Sequence, residues 1–187
     1  MKYINTPLEG LIIFTPKQFV DERGFFMETF RQTDFDKVFE QRNLTAPQLV
    51  QENQSRSVKH VLRGLHYQQQ FPQGKLVRVS HGCIFDIAVD LRQQSKTYGQ
   101  WFAQELSADN GYQMWVPPGF AHGFYVLSNL ADIIYKCSEY YQPNDEYTLA
   151  WNDSTLNIQW PLTKEAHPIV SEKDNPNLNP NIIKFGC

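Results

Sequence analysis

The sequence has little that would hold it together covalently: its 187 residues include three cysteines, Cys83, Cys137 and Cys187, and no C-x-x-C pair. An odd count in that arrangement argues against a disulfide framework and for a reducing compartment. Blocks of like charge are also missing; charged residues make up 20% of the chain and the formal net charge is −3. That leaves no electrostatic footprint for a nucleic-acid duplex or an anionic membrane, while a small anionic ligand would need only a few placed cations. Long apolar runs are absent too. Met1 is followed by Lys2 and a polar-interrupted stretch, so neither a signal peptide nor a membrane span is expected, and the chain reads as cytoplasmic.

What the chain does have is rings and alternation. Aromatic residues reach 14% and hydrophobic residues 41%, enough for one domain over 1–187 with a sizeable core and an irregular tail from about residue 175. Short apolar or alternating runs recur between turn residues: Gly10 to Phe19, Gly24 to Phe30, Pro47 to Ser55, Val61 to Tyr67, Lys75 to Ser80 and Ile84 to Leu91. Others follow at Gln100 to Leu106, Tyr112 to Val116, His122 to Leu127, Asp132 to Tyr140, Tyr147 to Trp151 and Leu156 to Trp160. Strands at this spacing predict an all-β, mainly antiparallel sandwich or barrel.

In the clearest of them, Phe85, Ile87, Val89 and Leu91 share one face and Ile84, Asp86, Ala88 and Asp90 the other, so Asp86 points away from the apolar stripe. One interior helix is predicted, capped by Thr33 with Asp36 three residues on, and burying Phe35, Val38 and Phe39 across the sheet. Beyond Thr163 a short helical turn is expected at most, because Pro168, Pro176 and Pro180 interrupt the segment.

The stretch from Gly111 to His122 reads G-x5-P-x-G-x2-H, with Pro117, Pro118 and Gly119 making a tight turn before the strand that carries His122. It resembles the second signature motif of the cupins, and implies a jelly-roll β-barrel with a few short peripheral helices. Metal cupins also need H-x-H and a later Glu, since a transition metal wants several ligands converging on one point. Here Arg63-Gly64-Leu65-His66-Tyr67-Gln68 offers one His and a Tyr. No metal or other cofactor is therefore expected, and the chemistry turns toward acid and base.

That same stretch opens an ordered series: Arg63 to Tyr67, Lys75 to Val79, Asp86 to Arg92, Gly119 to Phe124, Tyr135-Lys136 and Ser171 to Asp174. Asp21 to Phe26 with Glu28, Gln51-Glu52-Asn53 and Trp151-Asn152-Asp153 complete it. The set resembles, over nearly the whole chain, the successive blocks of the dTDP-4-dehydrorhamnose 3,5-epimerase family. The resemblance implies inversion at C5 and C3 of a 4-keto-6-deoxy sugar on a nucleoside diphosphate. A ketone acidifies both neighbouring C–H bonds, so a base can remove a proton and a different acid can return one to the opposite face.

His66 is the expected base, because an imidazole titrates near neutral pH. The resemblance makes Asp174 its partner. Tyr135, which shares a strand face with Ile133 and Cys137, is the expected acid. Lys75 would stabilise the enolate, although a Lys following Pro72-Gln73-Gly74 alone reads as a solvated turn residue. His122 and Asp86 would form a second dyad near the keto group, or simply satisfy each other as a buried pair. Arg23 and Arg63 are the expected clamps on the diphosphate. Glu28, Gln51, Asn53, Glu146 and Lys173 are further expected contacts to the dTDP-linked substrate. The resemblance also implies a homodimer in which the neighbouring subunit completes the nucleotide site. Three other readings stay open: an epimerase acting at one carbon only, a metal-dependent cupin oxygenase or isomerase using His66 and His122, and a sugar-nucleotide binder without catalysis.

Overall fold

The computed structural model describes residues 2–162 and 167–186. Six strands form one antiparallel sheet: β1 (Lys2–Asn5), β2 (Ile12–Thr15), β5 (Gln51–Val58), β7 (Lys75–His81), β10 (Gln113–Val116) and β12 (Leu130–Cys137), in the order β1-β2-β10-β7-β12-β5. Five form a second: β6 (Leu62–Gln68), β8 (Cys83–Asp90), β9 (Trp101–Ser107), β11 (Phe120–Val126) and β13 (Glu146–Thr148), in the order β13-β6-β11-β8-β9. A separate ribbon pairs β3 (Gln18–Asp21) with β4 (Gly24–Met27).

The sheets face each other over one core. Ile13, Val77, Val79, Met114 and Ile133 from the first meet Ile84, Ala88, Leu106, Phe120 and Phe124 from the second. The alternation read in β8 holds, but both of its faces are covered. Ile84 and Ala88 line the interior beside a fully buried Asp86, while Ile87 and Val89 lie under Leu149 and Leu156 outside the sheet. Asp86 thus points into the barrel.

The helix α1 (Gln32–Glu40) lies across the outer face of the six-stranded sheet, where Phe35, Val38 and Phe39 cover Ile12, Phe14, Leu76 and Trp115. Its start differs from expectation. Arg31 is the N-cap, with no side-chain cap bond, and Thr33 falls inside the first turn, where Gln32 Nε2 donates to Asp36 Oδ1 at 2.7 Å instead. Leu156 to Trp160 is not a strand; it is an irregular cover in which Trp160 packs edge-on to Phe85, so its apolar character serves packing rather than pairing. The Gly10 to Phe19 run is broken between β2 and β3. Part of the predicted turn beyond Thr163 lies outside the described residues; a 3-10 turn does form at Glu172–Asp174. No helix among the described residues is long and apolar enough to cross a membrane.

At the end of β8, Asp90 fixes the connection to β9. Its carboxylate accepts bonds from the Arg92 guanidinium at 2.8 and 2.7 Å, from Ser95 Oγ at 2.6 Å and from Thr97 Oγ1 at 2.7 Å. Burial alone would raise its pKa, but these donors outweigh burial and hold it at about 2. A depressed pKa contributes stability that is present above the unfolded value and lost as pH falls through the folded one. Asp90→Asn is therefore expected to cost about 2 kcal/mol at neutral pH. The gap to the parent protein should close between pH 3.8 and about 2. Urea unfolding across that range checks it, and a gap independent of pH would refute it.

Candidate active site

Between the sheets lies a cavity of about 380 Å³, inside the roughly 300–1,000 Å³ common for small-molecule sites. From the five-stranded sheet it receives Arg63 and His66 on β6, His122 on β11 and Glu146 on β13; from the six-stranded sheet it receives Gln51 and Asn53 on β5, Lys75 on β7 and Tyr135 on β12. Eight of the sequence-predicted residues thus meet in one place.

The backbone explains how the two histidines come together. His66 and His122 are cross-strand partners, and just beyond them the β6–β11 register shifts at a bulge. Gly64 and Gly123 allow the strands to close there: Gly64 sits at φ +131°, and a Cβ on Gly123 would stand 2.6 Å from Arg63 O and 3.1 Å from Gly64 Cα. Bulges re-aim side chains next to sites in this way.

Each histidine is backed by a buried carboxylate. His66 Nε2 donates to Asp174 Oδ1 at 2.6 Å, and Asp174 Oδ2 accepts from Gly64 N–H at 3.4 Å. With Nε2 donating, the imidazole lone pair falls on Nδ1. Burial pushes the His66 pKa below its ordinary value, which the Asp174 carboxylate opposes and the charges of Lys173 and Lys75 reinforce. The ring is neutral at pH 7 and able to accept a proton. Burial would raise Asp174, but its bond to His66 prevails and holds the carboxyl below the usual range.

His122 Nε2 lies 2.8 Å from Asp86 Oδ1. Asp86 Oδ2 is buried without a hydrogen-bond partner, and burial raises this carboxyl's pKa against the pull of His122 and Lys75. Lys75 is itself pushed down by burial, opposed by Cys137, Glu146 and Asp86, and it joins none of the ion pairs among the described residues. Its ammonium is free to meet a ligand. Burial raises the pKa of the Tyr135 phenol further above its ordinary value, so it is protonated at neutral pH.

Lys173 stands behind the wall, ion-paired to Glu146, whose carboxylate also accepts from Tyr141 Oη at 2.8 Å. Arg63 Nε donates to Ser57 Oγ at 3.1 Å. Two predicted residues stay apart: Arg23 is exposed on the β3–β4 ribbon and paired with Asp21, and Glu28 is paired with Arg31. The ribbon is not part of either barrel wall, so in a single chain neither side chain lines the cavity. Three lining residues, Ser55, Gln73 and Tyr141, carried no sequence signal. Among the described residues no three His, Cys, Asp or Glu side chains converge as a metal site would require.

Facing antiparallel sheets with histidine–carboxylate pairs on one wall and a phenol on the other define a cupin-type jelly-roll enzyme equipped for proton transfer. The family model described as dTDP-4-dehydrorhamnose 3,5-epimerase matches residues 5–179. A protein of that name from Neisseria gonorrhoeae is 50% identical over 174 residues, covering 93% of this chain and 51% of its own longer length. Its counterpart from Shigella flexneri is 48% identical and covered to 93% on both sides. The fold agrees with that of a dTDP-6-deoxy-D-glucose-3,5-epimerase from Legionella pneumophila Philadelphia 1, solved in complex with dTDP-4-keto-L-rhamnose, at a TM-score of 0.87 and 44% identity over 97% of this chain and 98% of that one. The chain belongs to the dTDP-4-dehydrorhamnose 3,5-epimerase family.

Proposed function

We propose that the chain converts dTDP-4-dehydro-6-deoxy-glucose to dTDP-4-dehydro-rhamnose by inverting C5 and C3. The observation that carries this is the placement of His66 and Tyr135 on opposing sheets around a single cavity. A ketosugar ring held between them has a neutral imidazole on one face and a protonated phenol on the other. His66 Nδ1 takes the proton from the carbon beside the ketone, the C–H electron pair moves into an enolate, and the phenol of Tyr135 delivers a proton to the opposite face. The developing oxyanion is stabilised by the Lys75 ammonium, assisted by His122. The ketone itself acidifies the C–H bonds, so the chemistry requires no cofactor.

Arg63 serves the diphosphate, its guanidinium already oriented by Ser57. Gln51, Asn53 and the Glu146–Lys173 pair serve the nucleoside, and Tyr141, half exposed at the mouth, offers a ring face to the base. A homodimer accounts for the ribbon. Phe19, Val20, Phe25 and Phe26 are all exposed on it, an apolar surface suited to a second copy, and Arg23 and Glu28 would then reach the neighbour's nucleotide. A monomeric mass in light scattering would remove that part. A cytoplasmic location accompanies this reading.

Turnover of dTDP-4-keto-6-deoxyglucose in heavy water, followed by reduction and product identification, tests the assignment. Deuterium is expected at both C3 and C5. Label at one carbon would reduce the activity to a single epimerisation, and absence of label would exclude the enolate.

A further inference from the structure

Asp174 reaches His66 from 108 residues away along the chain, on a 3-10 turn capped by Ser171 and tied by side chains, Lys173 to Glu146 and Asn179 Nδ2 to the Lys173 carbonyl. Its backbone anchors to the sheet lie on either side of it. Upstream, Ile169 bridges Val61 in parallel: its N–H donates to His60 O at 2.8 Å, and its carbonyl accepts from Leu62 N–H at 2.9 Å. Downstream, Ile183 bridges Leu149 in the same sense, donating to Thr148 O at 2.9 Å and accepting from Ala150 N–H at 2.8 Å. Both anchors seat on the structure that carries the imidazole. Leu62 opens the strand of His66, and Thr148 is the cross-strand partner of His66. Phe185 then locks the end: its N–H donates to Asp153 Oδ2 at 2.9 Å, and its ring lies 5.1 Å from that of Tyr98. The family match stops at residue 179, so Ile183 and Phe185 lie beyond it.

We infer that residues 182–186 are a clasp that holds Asp174 in hydrogen-bonding position against His66, with Ile183 and Phe185 as its positioning residues. A segment whose backbone is paired on one side only, and is otherwise held by side-chain ties, samples more placements, and pinning the second side removes that freedom during folding rather than during turnover. A charge-assisted bond of 2.6 Å tolerates little displacement, since proton-transfer geometry degrades when a supporting group is left loose. Cover for the apolar outer face is a second service of Ile183 and Phe185; by itself it would leave the His66–Asp174 bond indifferent to their replacement.

The kinetic arm of the test rests on His66 being the base, and the spectroscopic arm does not. In the full chain, Ile183→Pro removes the N–H that holds Thr148, Phe185→Ala removes the locking ring, and Phe185→Leu is the conservative control. Each is made alone and together with Asp174→Asn. The nitrogen NMR signals of the His66 imidazole are expected to move in Phe185→Ala and Ile183→Pro toward those of Asp174→Asn, and to return in Phe185→Leu. Turnover should fall roughly tenfold with KM within about twofold, and the same changes should cost less than about twofold once Asp174 is already Asn, as coupled sites require. Unmoved His66 signals, or losses that multiply with that of Asp174→Asn, would overturn the clasp. Should Ile183→Pro not fold, the half-buried Phe185 still decides the question through its two variants. If His66 proves not to be the base, the NMR outcome stands alone.

Discussion

His66→Asn is expected to lower turnover by roughly 10²–10⁴-fold, the usual worth of a positioned general base. Binding of dTDP should stay close to that of the parent. The separation follows from where the groups sit. The imidazole bonds to Asp174 and faces the cavity, while Arg63, Gln51 and Asn53 lie on other strand positions and do not depend on it. The loss should therefore fall on kcat, with solvent deuterium no longer entering unreacted substrate, because removal of the carbon-bound proton is the step that fails. Steady-state kinetics paired with calorimetric titration of dTDP checks both halves. Turnover within a few-fold of the parent would assign the base elsewhere, and parallel loss of dTDP affinity would point to a binding role.

Gly123→Ala is expected to damage fold and site together. The added methyl would meet Arg63 O at 2.6 Å, Leu65 Cδ2 at 2.9 Å and Gly64 Cα at 3.1 Å, and two of these three atoms are backbone in a paired strand that cannot swing aside. Overpacking of this kind costs roughly 3 kcal/mol. Relief requires β6 and β11 to separate at the very bulge that places His66 opposite His122. The variant should lose stability in urea and, where still folded, most of its turnover. Unchanged values of both would show that the bulge is more compliant than these distances allow.

Local patterns carried much of this architecture. Alternation in β8 placed Asp86 opposite its apolar stripe, and the period of Phe35, Val38 and Phe39 placed α1. Tyr135 could be set on an interior face because Ile133 and Cys137 flank it at strand spacing. What stayed hidden was whatever depends on distant chain segments. Nothing in the neighbourhood of Asp174 marks it as the partner of His66 except resemblance, since the two residues lie 108 positions apart and meet only in the folded chain. Thr33 carried a cap signal that the chain does not use, because the helix already starts at Gln32, with Arg31 in the extended conformation of the N-cap. Tyr141 looked like any of nine tyrosines, and its value lies in a contact to Glu146 across a loop. Arg23 and Glu28 were legible as polar residues of a recognisable block, but a block does not reveal that its ribbon departs from the barrel.

The proposed division of acid and base sets His66 and Tyr135 on two different walls. Neither sheet owns the chemistry, so the reacting groups keep their spacing only while the layers remain pressed together by the residues between them. Swelling of the interior, by pressure, a cavity or an expanded compact state, would part imidazole from phenol while each sheet kept its hydrogen-bonded ladder. Turnover would vanish before the circular dichroism of the strands changed, which makes the enzyme's own rate a gauge of how tightly its two halves are closed.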